Sequence, residues 1–187
     1  MKTIGYAAQR ADAPLAPFAF DRRALRPNDV ALEILYSGVC HSDLHQARND
    51  WGWTTYPIVP GHEIVGRVIE VGAEVEGFRV GDAVAVGCMV DSCQSCDQCL
   101  QGEEQLCRDG NTGTYNSPDR VTGELTRGGY SKHLVVREEF VLRVPAGLDL
   151  SRTAPLLCAG ITTYSPLRTW GIGPGSFREA SASGWRG

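Results

Sequence analysis

The chain has 187 residues, which against roughly 150 for a typical domain makes one domain and a remainder too short to be a second. Its 42% hydrophobic and 21% charged residues are a globular composition, which excludes disorder and collagen, and 22 Gly with 10 Pro point to many turns and little long helix. Eighteen basic against 22 acidic residues, with no Lys or Arg cluster, argue against a nucleic-acid surface, and no apolar run approaches the roughly 18 residues of a membrane span.

Met1-Lys2-Thr3 leads into folded-looking sequence without an apolar leader, so a cytoplasmic location is expected. In that reducing compartment the seven cysteines are read as metal ligands or reactive thiols. Alternation places Val30, Leu32, Ile34 and Tyr36 on one face of a first strand that ends at Gly38. Turn residues follow, carrying Cys40 to His45 and the aromatic cluster Trp51, Trp53 and Tyr56, which either walls a pocket or packs in the core. Further strands are predicted at Ile64 to Val71, Ala83 to Val86, Tyr130 to Val136 and Phe140 to Val144, with Cys88 as a small buried strand residue. Glycine and proline punctuate them at Gly72, Gly81, Gly128-Gly129 and Pro145. The first clear helix is predicted late, around Thr153 to Leu167, and Gly171 to Gly175 is a turn cluster. Together these make a mainly β domain of short strands.

Between the strands, Asp91 to Asp119 is rich in Cys, Asp, Asn, Gln and Gly and nearly free of aliphatic periodicity. Such a stretch cannot order itself by burying apolar surface. Within it Cys93, Cys96, Cys99 and Cys107 stand as C-x2-C-x2-C-x7-C. Four thiolates on a coreless loop suit a closed tetrahedral zinc site whose metal supplies the ordering energy. The competing readings are two disulfides or an iron–sulfur cluster, although the ferredoxin run has a shorter last gap and a Pro where Arg108 stands here.

A second constellation is more dispersed: Cys40 opens Cys40-His41-Ser42-Asp43-Leu44-His45, His62 lies in Gly61-His62-Glu63, and Cys158 lies in Leu156-Leu157-Cys158-Ala159-Gly160. One His and two Cys are a possible catalytic zinc set with an open fourth position. Simple packing of lone buried Cys and His is the alternative.

Gly61-His62-Glu63-x2-Gly66-x5-Gly72-x2-Val75 resembles the zinc alcohol dehydrogenase signature of the medium-chain dehydrogenase/reductase superfamily. Gly38-Val39-Cys40-His41-Ser42-Asp43, the four-cysteine lobe and Cys158-Ala159-Gly160-Ile161-Thr162 fall in that family's order, and the likeness, to its cinnamyl alcohol dehydrogenase-like branch, covers about residues 1 to 175. The resemblance implies a GroES-like catalytic domain over residues 1–150 with its structural-zinc lobe at 91–119. A linker and first helix at 151–175 then lead toward a missing nucleotide-binding Rossmann domain, and an aberrant tail occupies 176–187. It also implies two Zn2+ sites, Cys40, His62 and Cys158 for the catalytic ion and Cys93, Cys96, Cys99 and Cys107 for the structural one. Ser42 matches the hydroxyl that contacts the substrate oxygen, and His45 the outer proton relay. Asp43 matches an acceptor for a zinc-bound imidazole, with an Asx turn as the alternative. Glu63 matches a residue that approaches the metal during ligand exchange, with a plain salt bridge as the alternative. His41 matches a contact to the NADP pyrophosphate and Thr162 one to the nicotinamide.

The activity so implied is interconversion of a small alcohol and its aldehyde by hydride exchange with NADP(H), in relatives that assemble as homo-oligomers. No G-x-G-x-x-G stands between a strand and a helix, and Ser176 to Gly187 shows neither periodicity nor a capped element, as a frameshift or misplaced stop would leave it. The isolated chain is therefore expected to be inactive, with its catalytic zinc held weakly because Cys158 ends a helix without neighbours. A zinc-binding module without catalysis is the second reading and an iron–sulfur electron carrier the third.

Overall fold

In the computed structural model, which describes residues 1–174, every strand pairing is antiparallel. Strands β1 (Lys2–Ala7) and β2 (Ala16–Asp21) form a hairpin with Lys2 opposite Asp21 and Ala7 opposite Ala16. The central sheet has five strands in the order β8, β3, β4, β5, β9, with β3 at Asp29–Ser37, β4 at Ile64–Val71, β5 at Ala83–Val86, β8 at His133–Arg137 and β9 at Leu142–Arg143. A two-stranded ribbon of β6 (Met89–Asp91) and β7 (Thr112–Gly113) completes the set.

Period-two alternation builds the main core, because Val30, Leu32 and Ile34 of β3 meet Ile64 and Val68 of β4, Val84 and Val86 of β5, and Leu134 and Val136 of β8. Each such fully buried aliphatic side chain contributes on the order of 1.5–3 kcal/mol. On the other face of the sheet, Val65, Ala85 and Val144 pack with Ala154, Leu150 and Leu157. That patch draws the C-terminal helical segment onto the sheet beside the start of β4.

Several elements differ from the sequence reading. Tyr36 does not share the core face of Val30 and Leu32: a register shift after Ile34, where β3 carries Leu35 as an extra residue against adjacent Gly66 and Val65 of β4, turns it out, and it is exposed. The Tyr130 strand begins only at His133, and Phe140 closes a 3-10 turn (Glu138–Phe140) ahead of the two-residue β9. Cys88 is exposed, in a bend between β5 and β6, rather than buried in a strand.

The first helix is early. Residues expected as turns form α1 (His41–Arg48), capped by Cys40 in extended geometry and ended by Asn49 at φ 58°. Its buried residues are Asp43 and Gln46, so it has no apolar stripe for periodicity to detect. The single helix predicted over Thr153 to Leu167 is instead three pieces: α2 (Leu150–Thr153), a 3-10 turn (Ala154–Leu157) and α3 (Ala159–Thr169). Cys158 is the break between them, at φ −126° and ψ −75°, and its carbonyl accepts the Thr162 N–H at 2.9 Å as α3 begins. Tethering of Ala154 and Leu157 to the sheet bends the chain there, a kink that a 3.6-residue period does not register. The tail 176–187 lies outside the described residues.

Candidate metal centres

Register in the β3–β4 pair assembles the first centre. Ser37, at the end of β3, lies opposite Ile64, at the start of β4, and the Gly38 N–H donates to the Glu63 carbonyl at 2.8 Å. Cys40, just past β3, and His62, just before β4, are therefore brought together from 22 residues apart. The kink at Cys158 supplies the third side chain. One ligand atom from each of Cys40, His62, Glu63 and Cys158 lies within 4.8 Å of the others, and the Cys40 and Cys158 Sγ atoms are 3.8 Å apart. A tetrahedral ion with Zn–S bonds of about 2.3 Å sets two thiolates about 3.8 Å apart, so the pair fits one shared ion.

Asp43 organises this centre. Its Oδ1 accepts His62 Nδ1–H at 3.0 Å and the Gly61 N–H at 2.9 Å, while Oδ2 accepts the Cys40 N–H at 3.0 Å and the Tyr130 hydroxyl at 3.1 Å. With Nδ1 committed to Asp43, His62 Nε2 is the nitrogen left for a metal. Burial of Asp43 disfavours its charge, but the hydrogen bond from His62 and the Cys40 and Gly61 amides prevail and hold the carboxyl below its usual range. The same pairing raises His62 despite the opposing effect of burial. Burial also pushes Glu63 up, and pushes Cys158 to about 12 with help from the neighbouring Cys88 and Cys40 thiols. Burial raises the Cys40 thiol, but the adjacent polar groups of Ser42, with Cys158 and His62, favour its thiolate and move it down on balance.

The remaining predicted residues are more scattered. Glu63 is buried and forms no ion pair with an Arg or Lys among the described residues. Ser42 is half-buried against Cys40, and no direct hydrogen bond joins it to His45. His45 bonds Asp50 Oδ2 through Nδ1 at 2.7 Å and stacks on His41 with ring centroids 4.4 Å apart. The stack continues through Trp51, 5.5 Å from His45, to Trp53 at a further 5.9 Å. Both tryptophans are exposed, so core packing does not account for them, and the Tyr56 hydroxyl donates to the Ala47 carbonyl at 2.7 Å. Thr162 is exposed on the first turn of α3. Tyr130 and Tyr115 are the residues sequence reasoning missed. Tyr115 sits 5.7 Å from the His62 ring and has its hydroxyl pKa pushed up by burial and Asp43. A tyrosine acting through an Asp has no spacing signature to betray it.

The second centre is the excursion between β6 and β7. Pairing of Met89 with Gly113 and of Asp91 with Thr112 pinches its ends together. Inside, Cys93, Cys96, Cys99 and Cys107 offer four sulfur atoms within 4.8 Å of one another, with Cys93 to Cys99 at 3.8 Å and Cys96 to Cys99 at 3.5 Å. No disulfide joins any of the seven cysteines, and the separations suit a single shared ion. Amides point at the sulfurs, from Cys93 to Cys107 at 3.5 Å, Cys96 to Cys93 at 3.3 Å and Arg108 to Cys96 at 3.4 Å. The Ser95 and Cys96 amides lower the Cys93 thiol to about 6, whereas Cys99, against the lowering effect of Ser92, is pushed up to about 11 by burial and the neighbouring Cys96 and Cys107 thiols. An ion-pair cluster ties the base of the lobe to the sheet: Asp119 bonds Arg26 at 2.6 Å and Arg23 at 3.2 Å, and Arg23 also pairs with buried Asp29.

Residues 26–146 match the family model described as the alcohol dehydrogenase GroES-like domain. The chain is 55% identical to NADP-dependent alcohol dehydrogenase C 1 of Mycolicibacterium smegmatis and 56% identical to the aldehyde reductase YahK of Escherichia coli, in each case over 94% of this chain and 50% of that protein. It thus spans about half the length of the curated relatives it matches. Among solved structures it superposes on a cinnamyl alcohol dehydrogenase from Sorghum bicolor with a TM-score of 0.89 and 45% identity, covering 92% of this chain and 49% of that one. A second superposition, on the Helicobacter pylori enzyme complexed with NADP(H), has a TM-score of 0.87 and 43% identity, covering 92% and 50%.

Proposed function

Because the chain belongs to the alcohol dehydrogenase GroES-like domain family, we propose that residues 1–150, completed by Cys158, are the zinc-binding catalytic half of an enzyme interconverting an alcohol and its aldehyde by hydride exchange with NADP(H). The observation that carries this reading is the convergence of Cys40, His62 and Cys158 around one point, with Asp43 on the far nitrogen of His62. A zinc ion held there would supply Lewis-acid polarisation of a substrate oxygen. Cys40 and Cys158 supply thiolates, His62 supplies Nε2, and Glu63, buried with its carboxyl raised, stands by as an alternative oxygen ligand. Ser42 holds the substrate hydroxyl proton beside Cys40. His45, half-buried and oriented by Asp50, passes that proton to water once a further group bridges the two. Cys93, Cys96, Cys99 and Cys107 hold the structural zinc.

The described residues do not fit a dinucleotide: every strand pair is antiparallel, and no strand–helix–strand crossover is present among them to cradle a pyrophosphate. His41 and Thr162, both exposed, are free to meet a cofactor held by another part of the protein. The catalytic ion is held less tightly than the structural one, since α3 beyond Cys158 has no buried residue. A reducing cytoplasm, where seven free thiols persist, completes the reading.

The test is to load the metal-free chain with Co2+, count the ions, and add benzyl alcohol or benzaldehyde. Two ions are expected, and only the weaker one's d–d bands shift with the ligand. Uptake of a single ion, or a second ion indifferent to both compounds, would instead support a zinc-binding module without catalysis.

A further inference from the structure

We infer that Tyr130 is a positioning residue for the Cys40–His62–Cys158 centre, acting through Asp43. The inference rests on the reading that this centre holds a metal ion. Asp43 receives four hydrogen bonds, and three of them come from the ligand segments themselves, the Cys40 N–H, the Gly61 N–H and His62 Nδ1–H. Donors that travel with the ligands cannot fix the carboxylate independently of them. The fourth, the Tyr130 hydroxyl at 3.1 Å on Oδ2, comes from a separate part of the chain.

That part is built as a strap across the His62 segment. Gly128 N–H donates to the Val59 carbonyl at 2.7 Å, Gly129 N–H to Gly61 at 2.8 Å and Tyr130 N–H to Pro60 at 2.9 Å, so all three carbonyls ahead of His62 are engaged. Gly61 has φ 102°, and a Cβ built on it would lie 2.7 Å from both Tyr130 Cδ1 and Tyr130 N, so the ring covers the bare Cα next to the ligand. The strap is anchored from behind. Half-buried Arg22 donates to the carbonyls of Arg127, Gly128 and His133 and to Ser131 Oγ, and the Tyr130 carbonyl accepts the Tyr6 N–H at 2.8 Å. Tyr130 thus refers the Asp43 carboxylate, and through it the His62 ring, to the β1–β2 side of the fold. Without the hydroxyl, Oδ2 keeps only the Cys40 amide, and the carboxylate and imidazole are free to turn together.

The experiment measures Zn2+ and Co2+ affinity of the full chain by competition with chromophoric chelators, with the four-cysteine site as internal control. In Tyr130→Phe the ring cover on Gly61 remains and the hydroxyl is lost. Affinity at the Cys40–His62–Cys158 site is expected to fall about tenfold, the lower end of what loss of such an outer partner costs. The cobalt d–d bands of that site broaden, the four-cysteine site is unchanged, and in an Asp43→Asn background the same substitution has less than a further twofold effect. An affinity within twofold of the parent overturns the inference, as does equal weakening of both sites or a full effect retained in the Asp43→Asn background, since these indicate general packing. Tyr130→Met, also lacking the hydroxyl but still covering Gly61, serves if the Phe variant fails to fold. Failure of the parent chain to take up a second ion would sink the functional reading and this inference with it, whereas uptake unaffected by Y130F sinks only the inference.

Discussion

Cys99→Ser is expected to melt the thiol lobe and leave the sheet intact. Between positions 91 and 119 the only buried hydrophobic residues are Cys99 and Cys107, and neither core cluster includes any residue of that stretch. What remains without an ion is mainly an exposed Arg108–Asp97 ion pair and a set of local backbone bonds from the amides of Leu100, Gln101, Gly102, Glu103, Leu106, Cys107 and Gly110 to carbonyls three to five residues back. At a net worth of about 1 kcal/mol each they are outweighed by the roughly 1–2 kcal/mol per residue that ordering the backbone costs. Structural zinc contributes about 10–16 kcal/mol in small peptide sites at neutral pH, so its loss exceeds anything else holding the lobe. Hydrogen exchange read by mass spectrometry over peptides covering 93–110 is expected to lose nearly all protection in C99S, and in the parent chain treated with a strong chelator. Peptides over β3 and β4, held by the apolar core, keep theirs. Retained protection at 93–110 without metal would refute the claim that the ion orders the lobe. Simultaneous loss in β3 and β4 would refute its independence.

Metal loading of the Cys40–His62–Cys158 centre should release protons and tighten with pH. The Cys158 thiol, pushed up to about 12 without metal, is protonated throughout the neutral range and must lose its proton on binding, which gives about a tenfold gain in affinity per pH unit for each proton released. Affinity independent of pH between roughly 7 and 9, by the same chelator competition, would contradict this. Arg22→Lys should lower stability by about 2–4 kcal/mol, because one ammonium cannot reproduce a planar fork reaching three carbonyls and a hydroxyl, and each buried acceptor left unpaired costs about 1–3 kcal/mol. Urea unfolding of the metal-loaded chain measures it, and a change under about 0.5 kcal/mol would show that Arg22 does not anchor the 127–133 segment.

Much of the chemistry is local and therefore legible in the chain. C-x2-C-x2-C-x7-C needs only a loop to close on an ion, and the alternation in β3, β4 and β5 needs only a two-residue period to declare which side is buried. The helix α1 escaped because its inward residues, Asp43 and Gln46, are polar and are held by hydrogen bonds instead of apolar packing. A bulge in β3 at Leu35 moved Tyr36, and the kink at Cys158 divided the late helix, since one-residue irregularities arise from contacts with distant partners.

By itself, then, the sequence determined the residue types and the short spacings: which thiols share a loop, which segments are strands, and which signature surrounds His62. Only the tertiary structure decided that Cys40, His62 and Cys158, spread over 118 residues from the first to the last, meet at 3.8 Å between sulfurs, and that Tyr130 stands behind Asp43. The physical reason is that spacing along a chain constrains geometry only within a turn or a loop. The approach of remote segments is set by antiparallel register and by the packing of Ala154 and Leu157 on the sheet, neither of which any short stretch encodes alone.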